Sequence, residues 1–342
     1  MVLSMVADAM GLEWASPAKP DVIVISAQLR DVDAAMNRIL EPHSTFRSIY
    51  DHVLSIPGKR VRAGMVLACA QLAPGAHAVP LHDAVDIAAA VEMLHESSLI
   101  HDDICDGSVL RRDNDSIAAA FGVRVAAYAG FHLAGTALRE VARVLDANPS
   151  VFARIGHAVG VTYLDELSEL SYGQLIETLP PDLDDDALRR HYRAVAGAKT
   201  GTLFRVACAY GGTAGGVDDD GLRSLMNYAD HLALAFQIMD DVRDIEGGPN
   251  LGKDACGDLE RRVPTWPVIE WLCTDAEART MWLDESVSSR DLQAALTHSG
   301  AMASAREFAD SATRQACIAT ECFVDSPARE HLRALARRVV LR

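Results

Sequence analysis

Proline leaves three long gaps in this chain, at residues 81–148, 182–248 and 268–326. A proline inside a helix costs about 3 kcal/mol, so gaps of that length suit long helices. The periodicity inside them agrees. Residues 83–105 carry Val85, Ala88, Ala89, Met93, Leu94 and Ile104 close to a helical repeat, and residues 222–245 do the same with Leu222, Leu225, Met226, Ala229, Leu232, Ala233, Phe236 and Met239. Further helices are expected at about 290–322 and 327–341. No segment alternates with period two around Asn-Gly or Asp-Gly turns. The chain reads as all-α, a single helical domain over 26–342 behind a flexible extension at 1–25, with no short internal repeat.

Charge and cysteine content narrow the function. The 342 residues carry a formal net charge of -16, which disfavours non-specific attraction to nucleic acid or an anionic membrane. It does not exclude an anionic substrate, because local cations and bound metal can reverse the sign inside a cleft. Seven cysteines, an odd number with no Cys-x-x-Cys pair, suggest neither a disulfide framework nor a zinc site and fit a reducing cytoplasm. No apolar run approaches the roughly 18 residues that span a bilayer, and Met1–Pro20 lacks the pattern of a secretory signal.

Two segments repeat one acidic pattern, Asp102-Asp103-x-x-Asp106 and Asp240-Asp241-x-x-Asp244, each ending a long apolar helical stretch. Residues i and i+4 share a helix face, so Asp102 lies near Asp106 and Asp240 near Asp244. Like charges at that spacing destabilise a helix, and the negative end of the helix dipole makes the placement worse. One such motif alone is commonly a solvated helix end. Two of them, 138 positions apart from Asp102 to Asp240, point to Mg²⁺ held by carboxylates with phosphate oxygens completing its shell.

Basic groups suited to diphosphate recur around these motifs. Gly58-Lys59-Arg60-Val61-Arg62 follows Pro57 and opens a helix, whose free N–H groups favour anions. Arg111-Arg112 lies just past the first acidic motif, Lys199-Thr200-Gly201 sits in an apolar stretch, and Gly252-Lys253 follows the second motif. Each is weak alone, and His95 by itself is more often a structural histidine than a ligand.

In this order the set resembles the trans-isoprenyl diphosphate synthase (polyprenyl synthetase) family, which includes geranylgeranyl diphosphate synthases. The resemblance runs through Gly58-Lys59-Arg60-x-Arg62, Glu92-Met93-Leu94-His95, both acidic motifs, Arg111-Arg112, Gly173-Gln174-x-x-Glu177, Lys199-Thr200-Gly201-x-Leu203-Phe204, Phe236-Gln237 and Gly252-Lys253, from about residue 55 to 267. It implies a helical bundle around a central cavity, a homodimer, and three Mg²⁺ ions clamping an allylic diphosphate. By position Asp102, Asp106, Asp240 and Asp244 would hold metal, with Asp103 and Asp241 as their supporting carboxylates. Gly58, Lys59, Arg62, His95 and Arg112 would bind isopentenyl diphosphate. Arg111, Lys199, Thr200, Gln237 and Lys253 would bind the allylic diphosphate, and Lys199, Thr200 and Gln237 would serve catalysis. The small Ser97 and Ser98 one turn before Asp102, with Leu94 beyond, imply room for a product of C20 or longer.

Three departures stand out. Phe131 follows Ala129-Gly130 where the family often has Asp, and would reshape or plug the chain-length cavity. Arg262-Val263 replaces a usual Gly-Lys, with Arg261 or Arg262 a candidate substitute for the lysine, and Ala63 replaces a proline. Alternative readings are an ionisation-initiated terpene cyclase, which would not need Lys59, Arg62 and His95, and a non-catalytic regulatory prenyltransferase subunit, which would be expected to lose an acidic motif.

Overall fold

The computed structural model describes residues 22–55, 58–73, 78–153, 163–179, 181–247 and 257–341. Helix α1 (Val22–Leu40), a 3-10 stretch (Glu41–Phe46) and α2 (Arg47–Ser55) lead to α3 (Val61–Cys69) and the 26-residue α4 (Leu81–Asp106). A hairpin of β1 (Leu110–Arg111) and β2 (Asn114–Asp115) precedes α5 (Ile117–Phe121), α6 (Val123–Ala147) and α7 (Pro149–Phe152). Next come α8 (Tyr163–Glu177), α9 (Asp185–Ala196), a π-helical turn (Gly197–Gly201), α10 (Thr202–Ala214) and the 28-residue α11 (Asp219–Glu246). The chain closes with α12 (Gly257–Glu260), α13 (Trp266–Thr274), α14 (Ala276–Leu283), α15 (Ser289–His298), α16 (Ala301–Ala319) and α17 (Pro327–Val340).

Several prolines stand where the missing N–H costs nothing. Pro80 is the N-cap of α4, and Pro149, Pro267 and Pro327 occupy the first positions of α7, α13 and α17. The two long helices end alike. Gly107 (φ 64°) and Gly247 (φ 65°) take the left-handed region that only glycine enters cheaply, and end α4 at Asp106 itself and α11 two residues past Asp244.

Helix α4 is buried along most of its length, and its buried side chains include the acidic Asp83, Asp86, Glu92, Glu96 and Asp103. It packs along α6 and against α1, α3 and α10, while α11 packs along α16. Helix α10 touches both α4 and α11, so it and the π turn stand between the helices that carry the acidic motifs. Trp266, Trp271, Tyr210, Tyr228 and Phe204 fill the shared core.

Three details differ from expectation. Val22–Ile25, counted in the extension, form the first turn of α1. The single helix expected at 290–322 is two, α15 and α16, broken at Gly300 (φ 84°) rather than at a proline. The hairpin was not foreseen, because its turn is Arg112-Asp113 with φ 52° and 63° and carries no glycine.

Candidate active site

The first acidic motif forms the last turn of α4. Burial raises the Asp102 carboxyl above its ordinary pKa; Lys199 opposes this and the neighbouring Asp106 adds to it. Asp103 is buried and grips Arg111, whose Nε lies 3.1 and 3.2 Å from its two oxygens. Asp106 is exposed.

The second motif forms the last turns of α11. Asp240 is exposed, 3.8 Å from Arg243, and Asp244 accepts the Asp258 N–H at 3.5 Å. Asp241 points inward and accepts from the Tyr192 hydroxyl (2.6 Å), Gln237 Nε2 (2.9 Å) and the Trp266 N–H (3.2 Å). Burial nevertheless pushes its carboxyl up to about 7, against the pull of those three donors.

Between the motifs lies the π turn, a wide helical turn found often at functional sites. It holds Lys199 against Glu177 of α8, Nζ to Oε2 at 2.5 Å, and Thr200 against Gln237 of α11, Oγ1 to Oε1 at 2.8 Å. Arg205 supports the turn by donating to the Gly197 carbonyl at 3.1 Å. The adjacent Lys199 and Thr200 thus face two ways: Lys199 pairs with Glu177 and acts electrostatically on Asp102 of the first motif, while Thr200 reaches Asp241 of the second through Gln237. Lys253 lies outside the described residues.

A second, cationic group gathers at the start of α3. Arg60 is buried; it donates to Asp33 at 2.9 Å and lies 3.7 Å from Glu92 and 3.6 Å from Glu96. Arg62 stacks its guanidinium 4.9 Å from the centre of the Phe204 ring, and its enclosed Nε has no hydrogen-bond partner among the described residues. Burial lowers its pKa to about 10 although Glu92 and Glu96 pull it up. Arg112 donates to Glu96 at 3.2 Å, lies against Gly58, and with Arg62, Arg111 and Arg60 adds to the burial that holds His95 neutral, well below its usual pKa. Lys59 is exposed beside them. Arg60 (φ 50°), Arg112 and Asp113 all adopt left-handed backbone, a strain of order 1–3 kcal/mol each that concentrates here.

Glu92 and Glu96 are the residues that sequence reasoning left without a role. Both are buried among the arginines, and Glu92 accepts the Ala63 N–H at 2.9 Å, so one of the helix-start amides read as open to an anion is already taken. Glu96 is held above its usual pKa by burial, with Arg112 opposing. Their i, i+4 spacing opposite a basic motif was the available signal. Tyr192 left none.

Two departures resolve differently from expectation. Phe131 is 77% exposed on the outer face of α6, edge-on to His101, and does not plug any space within this chain. Arg262 turns away from the acidic motifs: it donates to the Asp284 and Val287 carbonyls at 3.0 and 2.7 Å and stacks on Trp282, while Arg261 pairs with Asp258 at 2.8 Å. Arg262 thus does not stand in for the missing lysine. Leu94 is buried, Ser97 is buried and donates to the Gly130 carbonyl at 2.8 Å, and Ser98 donates to the His95 carbonyl at 2.8 Å. A cleft of about 490 Å³ between Arg38, His82, Asp86, Arg139 and Arg143 involves none of the acidic-motif residues.

The sequence profile of polyprenyl synthetases matches residues 43–298. The chain belongs to the polyprenyl synthetase family, a family of prenyltransferases. It is 35% identical over 228 residues to a geranylgeranyl diphosphate synthase of Mycobacterium tuberculosis, an alignment that spans 65% of this chain and 61% of that protein. It is 30% identical over 300 residues, 85% of each chain, to a nonaprenyl diphosphate synthase of the same organism. The fold superposes on a decaprenyl diphosphate synthase of Rhodobacter capsulatus with a TM-score of 0.79 at 25% identity, over 94% of this chain and 98% of that one. A geranylgeranyl pyrophosphate synthase of Corynebacterium glutamicum, solved with calcium and isoprenyl diphosphate, gives 0.75 at 25% identity over 95% and 98%. No helix among the described residues is long and apolar enough to cross a membrane.

Proposed function

We propose that this chain condenses isopentenyl diphosphate head to tail with an allylic diphosphate, dependent on Mg²⁺, and forms a prenyl diphosphate of C20 or longer. The observation that carries the reading is the pairing of two sites: carboxylates on either side of Lys199-Thr200, and a cluster of Arg60, Arg62 and Arg112, two of them on left-handed backbone, in which the Arg62 Nε has no partner among the described residues. One site suits a diphosphate with metal, the other a diphosphate held by side chains alone.

Asp102, Asp106, Asp240 and Asp244 would hold the magnesium. They fit it: the donors are hard oxygens, and Asp102 is kept above its ordinary pKa by burial and by Asp106, a repulsion a cation would relieve. Bound magnesium would neutralise the diphosphate as the allylic C–O bond breaks.

The remaining work belongs to the chain. Lys199 and Arg111 supply positive charge beside the leaving group, and Thr200 and Gln237 line the same side. Arg62, Arg112, Lys59 and the neutral His95 orient isopentenyl diphosphate, and orientation of two anions supplies much of the rate. The apolar walls around Leu94 keep water from the carbocation. The released diphosphate takes the proton, since no side chain stands out as a base.

A homodimer is part of this reading. Val123, Tyr128 and Phe131 leave an apolar strip on α6 more than half exposed in the single chain. The described cysteines are free thiols, which suits the cytoplasm. Mass spectrometry after incubation with farnesyl diphosphate, labelled isopentenyl diphosphate and Mg²⁺ tests the product. A C20 or longer prenyl diphosphate is expected. No elongation rejects the chain-length reading, and a cyclised hydrocarbon formed without isopentenyl diphosphate would favour a cyclase.

A further inference from the structure

A backbone N–H can only donate and an ionised carboxylate can only accept, so together they give a hydrogen-bond network its direction. The Trp266 N–H donates to Oδ2 of Asp241, and the Tyr192 hydroxyl donates to the same oxygen at 2.6 Å. The other oxygen, Oδ1, accepts from Gln237 Nε2 at 2.9 Å. With its amide nitrogen held there, Gln237 presents its carbonyl oxygen to Thr200, 2.8 Å from Oγ1. A carbonyl cannot donate, so the Thr200 proton is committed to Gln237 and only the lone pairs of Oγ1 remain on offer. In that state Thr200 accepts hydrogen bonds or faces a positive centre; it cannot donate to a departing diphosphate.

The Tyr192 ring does not account for its hydroxyl. It is buried on α9, tilted against the Trp266 ring at a centroid distance of 5.2 Å, and phenylalanine would fill the same slot. The hydrogen-bonded path from Tyr192 to Thr200 runs through Asp241 and Gln237. Without the hydroxyl, Asp241 loses a donor and has less hold on which end of the Gln237 amide faces Thr200.

We infer that Tyr192 is a positioning residue which, through Asp241 and Gln237, fixes the Thr200 hydroxyl as a hydrogen-bond acceptor at the allylic site. The inference rests on the reading of Thr200 and Gln237 as allylic-site groups given above. Acceptor lone pairs suit a carbon chain that becomes positively charged as its diphosphate departs.

A double-mutant cycle of Tyr192→Phe and Thr200→Val, assayed for elongation of farnesyl diphosphate by the full chain, tests it. Tyr192→Phe is expected to lower kcat about ten-fold, with KM for both substrates and the Mg²⁺ requirement within about two-fold of the parent and no change in melting beyond about 2 °C. In the Thr200→Val background, where no hydroxyl is left to orient, the same change is expected to cost under two-fold. In Thr200→Ser, which keeps the hydroxyl, the ten-fold loss should return. Equal losses in all three backgrounds, or none in the parent background, would overturn the inference alone. Absence of elongation by the parent chain would overturn both the inference and the reading it rests on.

Discussion

Arg62→Met separates the binding role of the cationic cluster from its structural one. Burial lowers the guanidinium from 12.5 to about 10 even with Glu92 and Glu96 nearby. At about 1.36 kcal/mol per pH unit, and discounted for solvent screening, that lowering is a penalty of order 2–3 kcal/mol against the charged form. Below pH 10 folded and unfolded chains both carry the charge, so the folded protein bears this penalty at neutral pH and sheds it only as pH rises through 10. Truncating one partner of a buried ion pair normally destabilises by about 3–5 kcal/mol, because the other charge is orphaned. Here Glu92 keeps the Ala63 N–H and Arg60, and Glu96 keeps Arg60 and Arg112. The two effects nearly cancel, and without ligand the variant should melt within about 1 kcal/mol of the parent. At about 2.1 cal/mol/K per residue over 342 residues, unfolding has an entropy of about 0.7 kcal/mol/K, so the shift should stay within about 1.5 °C. Isopentenyl diphosphate should distinguish them. At 100 times its Kd it stabilises the parent by about 2.7 kcal/mol, or about 4 °C; with affinity reduced 100-fold the variant gains only about 0.4 kcal/mol, under 1 °C. Scanning calorimetry with and without isopentenyl diphosphate measures both. A ligand-free drop of 5 °C, or a ligand shift equal to the parent's, would refute the reasoning.

Three further outcomes are expected. Asp102→Ala should lower kcat by about 10³-fold or more with unchanged helical circular dichroism, because burial and Asp106 make the carboxylate costly in the folded chain rather than supportive; near-normal turnover would count against a metal there. Gly173→Ala would set a Cβ 2.7 Å from Ala198 Cβ and 2.9 Å from the Lys199 nitrogen, so it should displace the π turn, cost about 1–3 kcal/mol in a denaturant titration and reduce kcat. Burial holds His331 near 4 instead of 6.5, so the unfolded chain binds more protons in that window and stability should fall by about 2–3 kcal/mol as pH drops from 6.5 to 4. Urea titrations of His331→Gln across that range should lack this part of the slope.

What could be read in advance follows from what each feature depends on. The acidic motifs, their place at helix ends and the apolar setting of Lys199-Thr200 are local in sequence, and periodicity places them. The Arg111-Arg112 hairpin was hidden because its turn uses arginine and aspartate at positive φ, a conformation that the surrounding fold imposes. Phe131 could not be placed from sequence, since a helix position alone does not say whether a ring meets the core or the outside. Glu92 and Glu96 read as ordinary helix charges until α3 brings Arg60 and Arg62 over them. Tyr192 meets Asp241 across 49 residues of chain, a contact only the packing of α9 on α11 creates.

The two-site account is tested most directly by counting products. With purified chain, farnesyl diphosphate, labelled isopentenyl diphosphate and Mg²⁺, one inorganic diphosphate should appear for each isopentenyl unit joined, and both signals should vanish on chelation of the metal. Diphosphate released without prenyl transfer, or transfer that continues in EDTA, would contradict it.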